Sequence, residues 1–257
     1  MADAARQARR AALPAGRSPC DSKGFTPNLR LRGVCMASFR LVGQEECARP
    51  RRRLAERLAR RGVRDRRVRE AFALVPRHRL LPEALRGQAY RDVALPIGDG
   101  QTISAPSVVA VMTEALELEG HESVLEVGTG SGYQAAILSQ LAARVVSIER
   151  LPRLAAAART ALDRLGVSNV VVYLGDGSAG RPREAPFDAI VVTAGGPEVP
   201  RPLLEQLAVG GCLVGPFGGR DEQELLRLRR TGRASFGREV IGRCRFVDLV
   251  GAHGWAA

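Results

Sequence analysis

Apolar positions recur in two rhythms along this chain, and the change from one to the other marks out its elements. From Arg51 they fall at Leu54, Leu58 and Val63 with arginines on the opposite face, then at Val68, Ala71, Phe72 and Val75. Spacings of three and four predict two helices, the second stopped by Pro76. Residues 89–100 are rich in turn formers and read as extended chain. A helix follows from Val108 to Leu118, with Ser104 or Ser107 as its hydroxyl cap. Short apolar runs then alternate with helical stretches. Val124–Val127 is a buried strand, and Ala135–Leu138 begins a helix. Arg144–Glu149 is a second strand, and the Ala-rich stretch from Pro152 to Leu165 is a crossover helix closed by Gly166. Val170–Leu174 and Phe187–Gly195 are the third and fourth strands. A short helix over Pro202–Ala208 leads to a fifth strand, Gly210–Val214. Beyond it, Glu224–Arg230 and Glu239–Val250 alternate apolar with polar residues, which predicts an antiparallel hairpin. Repeated strand–helix units closed by a hairpin define an α/β, Rossmann-like, doubly wound and mostly parallel sheet with a small N-terminal helical cap.

The first 48 residues carry no sustained period and are expected to be a disordered, Arg-rich extension. Residues 49–257 then form one domain, divided into a helical cap and lead-in (49–100) and an α/β core (101–257). An acid-poor start of this kind also suits an organelle transit peptide, and Met36 is an alternative start of translation. No run is long and apolar enough to span a membrane.

The formal charge of +12 looks at first like a nucleic-acid signal. Its location changes that picture. Residues 1–70 hold 19 basic and 7 acidic side chains, whereas residues 71–257 hold 20 of each. The α/β body is therefore balanced, and the arginines of the two cap helices read as a solvated face, so nucleic acid is not expected as a partner. Lys23 is the only lysine. Cys20, Cys35, Cys47, Cys212 and Cys244 are odd in number and scattered, and His78, His121 and His253 do not cluster. Neither a disulfide framework nor a metal site is expected, and a reducing cytoplasm fits.

The candidate chemistry gathers after the first strand. Glu126 sits inside it, and Gly128-Thr129-Gly130-Ser131-Gly132 joins it to the next helix. Strand, glycine turn and helix bring backbone close to a nucleotide-like ligand. A dinucleotide fingerprint wants glycine or alanine at position 133, where this chain has Tyr133. That favours a nucleoside bearing an amino acid, S-adenosyl-L-methionine, over a nicotinamide dinucleotide. Glu149 stands 21 positions after Gly128, near the spacing at which an acid accepts both ribose hydroxyls. Asp176, between Gly175 and Gly177 at a strand end, is placed to accept from an adenine amino group. Before the predicted helix, the small polar side chains of Gln101–Ser104 suit a carboxylate.

These residues carry a resemblance. Leu95–Gly98, Gly100–Ser104, Val124–Gln134, Ser147–Arg150, Gly175–Gly177, Phe187–Ala194 and Arg245–Val247 together look like the protein-L-isoaspartate O-methyltransferase family, over roughly Arg51 to Trp255. The Gly-Gln-Thr-Ile-Ser block singles that family out. The resemblance implies methyl transfer from S-adenosyl-L-methionine to the α-carboxylate of L-isoaspartyl residues in damaged proteins, the ester then collapsing to a succinimide. It implies Ser104 as the active-site residue, with Thr102 and Ile103 beside it at the substrate. It implies a cofactor site made from Glu126, Gly128, Thr129, Gly130, Ser131, Gly132, Glu149, Arg150, Asp176, Gly177 and Thr193, in a monomer. The chain departs from the family pattern at Ala105, where glutamine is usual. Two other functions share the glycine turn: methylation of RNA or of another protein, and S-adenosyl-L-methionine binding without catalysis. Thr193-Ala194-Gly195-Gly196-Pro197 lacks the motif that base-amine methylation uses at that place.

Overall fold

The computed structural model describes residues 47–256. Residues 1–46, with the expected disorder, Cys20, Lys23, Cys35 and Met36, lie outside the described residues.

The two cap helices form where the period predicts them, α1 over Ala48–Arg60 and α2 over Arg66–Leu74. Each buries one stripe: Leu54 and Leu58 from α1, Val68, Ala71 and Phe72 from α2. Asp65 caps α2 by accepting from the Arg67 N–H at 2.7 Å. A small antiparallel hairpin follows, β1 (Leu95–Gly98) and β2 (Gln101–Ile103), turning through Gly98, Asp99 and Gly100, all at positive φ.

Helix α3 spans Pro106–Ala115, shorter than the predicted Val108 to Leu118 at its far end and longer at its start. Neither Ser104 nor Ser107 caps it. Ala105 holds the cap position, and the Ser107 N–H donates at 2.8 Å to the Asp92 carboxylate, a partner 15 residues away. The Val108 and Val109 N–H groups both reach the Ala105 carbonyl. The first-turn donors of α3 are thus engaged within the protein, so any carboxylate there would rest on the side chains of Gln101–Ser104 and not on these N–H groups.

The core alternates β3 (Ser123–Val127), α4 (Tyr133–Leu138), β4 (Arg144–Glu149), α5 (Pro152–Leu165), β5 (Val170–Leu174), β6 (Phe187–Val192), α6 (Arg201–Gln206), β7 (Leu207–Gly218), β8 (Gln223–Arg230) and β9 (Phe236–Cys244). The seven strands lie in the order β5-β4-β3-β6-β7-β8-β9. The pairs from β5 to β7 are parallel, and β7–β8 and β8–β9 are antiparallel. The chain runs outward from β3 to β5 and then returns to the other side of β3. That reversal opens a crevice at the carboxyl ends of β3 and β6, where doubly wound sheets bind ligands. Both faces of the sheet are covered. Val124, Val145 and Val191 pack toward the cap, α3 and α4, while Leu125, Val146 and Ile190 pack toward α6. Burial on both faces explains why the parallel strands read as continuous apolar runs.

Several boundaries differ from the sequence reading, β6 ending at Val192 and not Gly195 and β9 starting at Phe236 and not Glu239, and two others differ for a common reason. Leu207 leaves helical geometry and already pairs with Phe187, so α6 stops at Gln206 and β7 is much longer than Gly210–Val214. At the other edge β9 ends at Cys244. The alternation continues to Val250, but the Phe246 N–H donates to the Gln223 side chain at 2.9 Å and the segment turns away from the sheet. Long-range pairing sets both ends.

Candidate active site

The crevice at the switch point is one cleft of ≈ 1020 Å³, open solvent at its mouth included. Its floor is the turn after β3. There the Gly128 and Thr129 N–H groups donate to the Ile148 carbonyl at 2.8 and 3.3 Å, stitching the turn to β4. Gly128 has φ 96, and a Cβ added there would lie 2.5 Å from the Thr193 hydroxyl oxygen. That hydroxyl, at the end of β6, lies within bonding reach of the Val127 and Gly128 carbonyls. Thr193 therefore buttresses the turn as well as lining the cleft. Gly177 approaches from β5 so closely that a Cβ would sit 2.6 Å from Val127 Cγ1.

Glu149 ends β4 almost wholly buried, and its carboxylate is fixed by two backbone donors. The Gly130 N–H reaches Oε2 at 2.8 Å and the Leu151 N–H reaches Oε1 at 2.9 Å. A carboxylate offers about four acceptor positions, so each oxygen keeps capacity for a further donor in the cleft. Two oriented acceptors beside a glycine turn fit the paired hydroxyls of a ribose.

Glu126 lies beneath this layer and is not part of the lining. It is fully buried and accepts from the Ser147 hydroxyl, which leaves Thr129 as donor in its 2.5 Å contact with Ser147. Burial pushes the Glu126 carboxyl up to about 8, against the smaller pull of the Ser147 hydrogen bond. The chain Glu126–Ser147–Thr129 thus orients the turn from below.

Opposite the turn, β2 and its exit supply Thr102, Ile103 and Ser104. Ile103 is buried, Thr102 is exposed, and Ser104 is half-buried. Among the described residues the Ser104 hydroxyl has no hydrogen-bond partner. Val109 and Met112 of α3 continue this wall. The exposed Arg150 stands at the mouth, and Ser131 completes the turn's share of the lining.

Two further residues of the expected cofactor site stand, like Glu126, outside the lining. Gly132 faces away from the cleft at the N-cap of α4, packed against Ala158 and Leu162. Asp176 is not among the lining residues, and its carboxylate already takes three donors, which leaves one acceptor position on Oδ2. Oδ1 accepts from the Ser178 N–H and hydroxyl at 2.8 and 2.6 Å, and Oδ2 from the Ala252 N–H at 2.7 Å. Burial alone would raise its carboxyl, but these donors outweigh it and hold it below the ordinary range. Asp176 therefore anchors the C-terminal loop. That loop is the feature the sequence reading missed. Residues 246–250 cross the cleft as a roof, hung from Gly195 by Gly195 N–H to the Val247 carbonyl (2.7 Å) and Leu249 N–H to the Gly195 carbonyl (2.8 Å). The Trp255 indole N–H donates to that same carbonyl at 2.9 Å. Phe246 and Val247 stood in the sequence as motif residues, yet read as strand.

Tyr133 shows why the turn departs from the dinucleotide pattern. Its ring is buried edge-on against Phe72 (centroids 5.9 Å, 89°), and the buried Arg77 guanidinium lies 4.8 Å from its centroid. Position 133 thus ties the cofactor half to the helical cap, through a cation–π contact worth up to about 2 kcal/mol where water is excluded.

The fold and this cleft define a Rossmann-like methyltransferase. Residues 49–254 match the family model described as protein-L-isoaspartate(D-aspartate) O-methyltransferase. The protein-L-isoaspartate O-methyltransferase 1 of Syntrophobacter fumaroxidans is 56% identical over 204 residues, covering 79% of this chain and 95% of that one. Its counterpart in Geobacter metallireducens is 56% identical over 206 residues, covering 80% and 95%. A solved protein-L-isoaspartate O-methyltransferase superposes with TM-score 0.71 at 31% identity, covering 79% of this chain and 67% of that one. A Plasmodium falciparum structure described by the same activity and solved with S-adenosyl-L-homocysteine gives TM-score 0.68 at 24% identity over 78% of this chain and 98% of that one, a likeness of fold. The chain belongs to the protein-L-isoaspartate(D-aspartate) O-methyltransferase family.

Proposed function

We propose that this chain performs its family's reaction, moving a methyl group from S-adenosyl-L-methionine to the α-carboxylate of L-isoaspartyl residues in damaged proteins, with the cleft residues in the roles below. One observation carries the reading. A single cleft is lined on one side by Gly128–Ser131 and Glu149 and on the other by Thr102–Ser104. S-adenosyl-L-methionine supplies, when bound, a methyl group already activated on a positively charged sulfur.

Glu149 would hold the ribose hydroxyls, and the turn from Gly128 to Ser131 would take the amino-acid portion against its backbone. Gly177, Thr193 and Arg150 would bound the nucleoside. Glu126 and Gly132 act behind the surface, as supports of the turn. The substrate carboxylate is ionised at neutral pH, so the chain need hold no general base. As the carboxylate nears a sulfonium the two charges cancel. A cationic clamp would therefore favour the ground state over the transition state. Ser104 is suited to this: a neutral hydroxyl with no hydrogen-bond partner among the described residues, able to donate to a carboxylate oxygen. Ile103 and the roof at 246–250 exclude water, and the gain is chiefly alignment, an effect worth up to roughly 7–11 kcal/mol.

A cytoplasmic monomer belongs to the same reading. No described helix is long and apolar enough to cross a membrane, and the described cysteines Cys47, Cys212 and Cys244 are unpaired. The test is methyl transfer to a peptide containing one isoaspartyl residue and to its aspartyl twin. We expect methylation of the first only. Equal labelling of both, or labelling of RNA alone, would refute the assignment.

A further inference from the structure

The arginines of α1 stand on a solvent face, as their spacing predicts, and hold a concentration of charge that the cleft does not use. Residues 49–70 hold 11 arginines against Glu56, Asp65 and Glu70, and so carry most of the excess charge of the whole chain. On a helix of 3.6 residues per turn, Arg49, Arg52, Arg53 and Arg60 fall on one stripe about 16 Å long, opposite the buried Arg51, Leu54 and Leu58. All four are exposed. Among the described residues none of them has an ion pair or a hydrogen bond to its side chain. The other arginine-rich stretch, β8 and β9, behaves differently: Arg227 and Arg229 pair with Glu117, Arg238 with Glu224, and Arg243 with Glu222. Among the described residues nothing neutralises the α1 stripe, and Glu56 alone interrupts it.

We infer that the α1 stripe is a docking surface for the phosphate backbone of nucleic acid, separate from the methyl-transfer cleft. Charge alone admits any polyanion, but the stripe's chemistry narrows the choice. The groove beside it offers only the small side chains of Ala55, Ala59 and Ala73 and no large apolar or aromatic anchor of the kind on which the core of a protein interface relies. It offers nothing to insert into a bilayer either. Among the described residues the exposed large apolar side chains are Val93, Val171, Leu174, Val209 and Val240, none of them on α1. A phosphate backbone needs only cations, and arginine meets phosphate with two parallel donors. Binding of this kind is independent of base sequence and driven by release of counterions. The chain N-terminal to α1 adds charge of the same sign, with 8 basic and 4 acidic residues over positions 1–48.

The experiment compares the full chain with two variants of equal charge loss. One is Arg49→Gln/Arg52→Gln/Arg53→Gln/Arg60→Gln; the other, Arg144→Gln/Arg201→Gln/Arg238→Gln/Arg243→Gln, removes paired arginines elsewhere. Glutamine keeps helix propensity close to that of arginine, so α1 is retained. Fluorescence anisotropy with a 20-base-pair duplex DNA is followed over a salt series. We expect the stripe variant to bind at least tenfold more weakly than wild type at 50 mM salt. Its log–log salt slope should be shallower by about three to four, the share of four phosphate contacts. The control variant should lose less than threefold. An equal loss in both variants, no binding by the wild type, or stripe-dependent binding to polyglutamate or phosphatidylserine vesicles without binding to DNA would overturn the inference.

Discussion

Ser104 is set apart at the residue scale by what it lacks. A half-buried hydroxyl without a partner among the described residues lies across the cleft from a carboxylate, Glu149, whose geometry two backbone N–H groups already fix. Their losses should therefore separate. Ser104→Ala is expected to lower kcat ten- to a hundredfold and leave cofactor affinity within about twofold, because a single neutral donor is removed from the transition state. Glu149→Ala should weaken cofactor binding at least tenfold, a charged acceptor being worth roughly 1.5–3 kcal/mol. Calorimetry and steady-state rates on both variants check the split; a shared loss of affinity would contradict it. Glu126 gives a prediction with a pH signature. Its carboxyl is raised to about 8 by burial, so the native protein keeps a proton that the unfolded chain releases near its ordinary value. The stability this contributes is present in full below the unfolded pKa and is lost as pH rises toward 8. Glu126→Gln keeps the shape without titrating. Its melting temperature should gain on wild type between pH 5 and 8 and hold a constant margin above. A margin that does not change with pH would contradict the assignment. Gly128 and Glu149 were legible from the sequence because their spacing is local to one βαβ unit. The engagement of Asp176 was not, since its partner Ala252 lies 76 residues away.

At the scale of elements, the site depends on pieces joined from outside the sheet. Phe72 of α2 is fully buried against Tyr133 of α4, so the cap forms one core with the cofactor half. Phe72→Ala should destabilise the protein by about 3–5 kcal/mol in chemical denaturation. A loss under 1 kcal/mol would mean that the cap is merely appended. The β1–β2 hairpin that leads to Ser104 is tied to α5 by the Arg153–Asp99 pair at 3.3 Å, with Arg153 lying against Gly98. This pair is exposed and worth no more than about 1 kcal/mol. Arg153→Ala is accordingly expected to lower kcat/KM by no more than about fivefold. A hundredfold loss would show that Arg153 touches a ligand. The two cap helices and five parallel strands could be read from periodicity, which burial on one or both faces imposes locally. The roof at 246–250 could not. Its alternation matches a strand, and only the hydrogen bonds from Gly195 show that it crosses the cleft instead.

At the scale of the molecule, the strand order that reverses at β3 opens the crevice above Gly128–Ser131, and the separate β1–β2 hairpin brings Thr102–Ser104 to the same opening. Charge is divided along the sequence, balanced over residues 71–257 and strongly basic before them. The most direct measurement is a crystal structure of the chain with S-adenosyl-L-homocysteine and an isoaspartyl peptide. The account expects the ribose hydroxyls on Glu149 and an oxygen of the isoaspartyl α-carboxylate within hydrogen-bonding distance of the Ser104 hydroxyl. A nucleoside bound away from the Gly128–Ser131 turn, or a carboxylate held by an arginine with Ser104 turned aside, would contradict it.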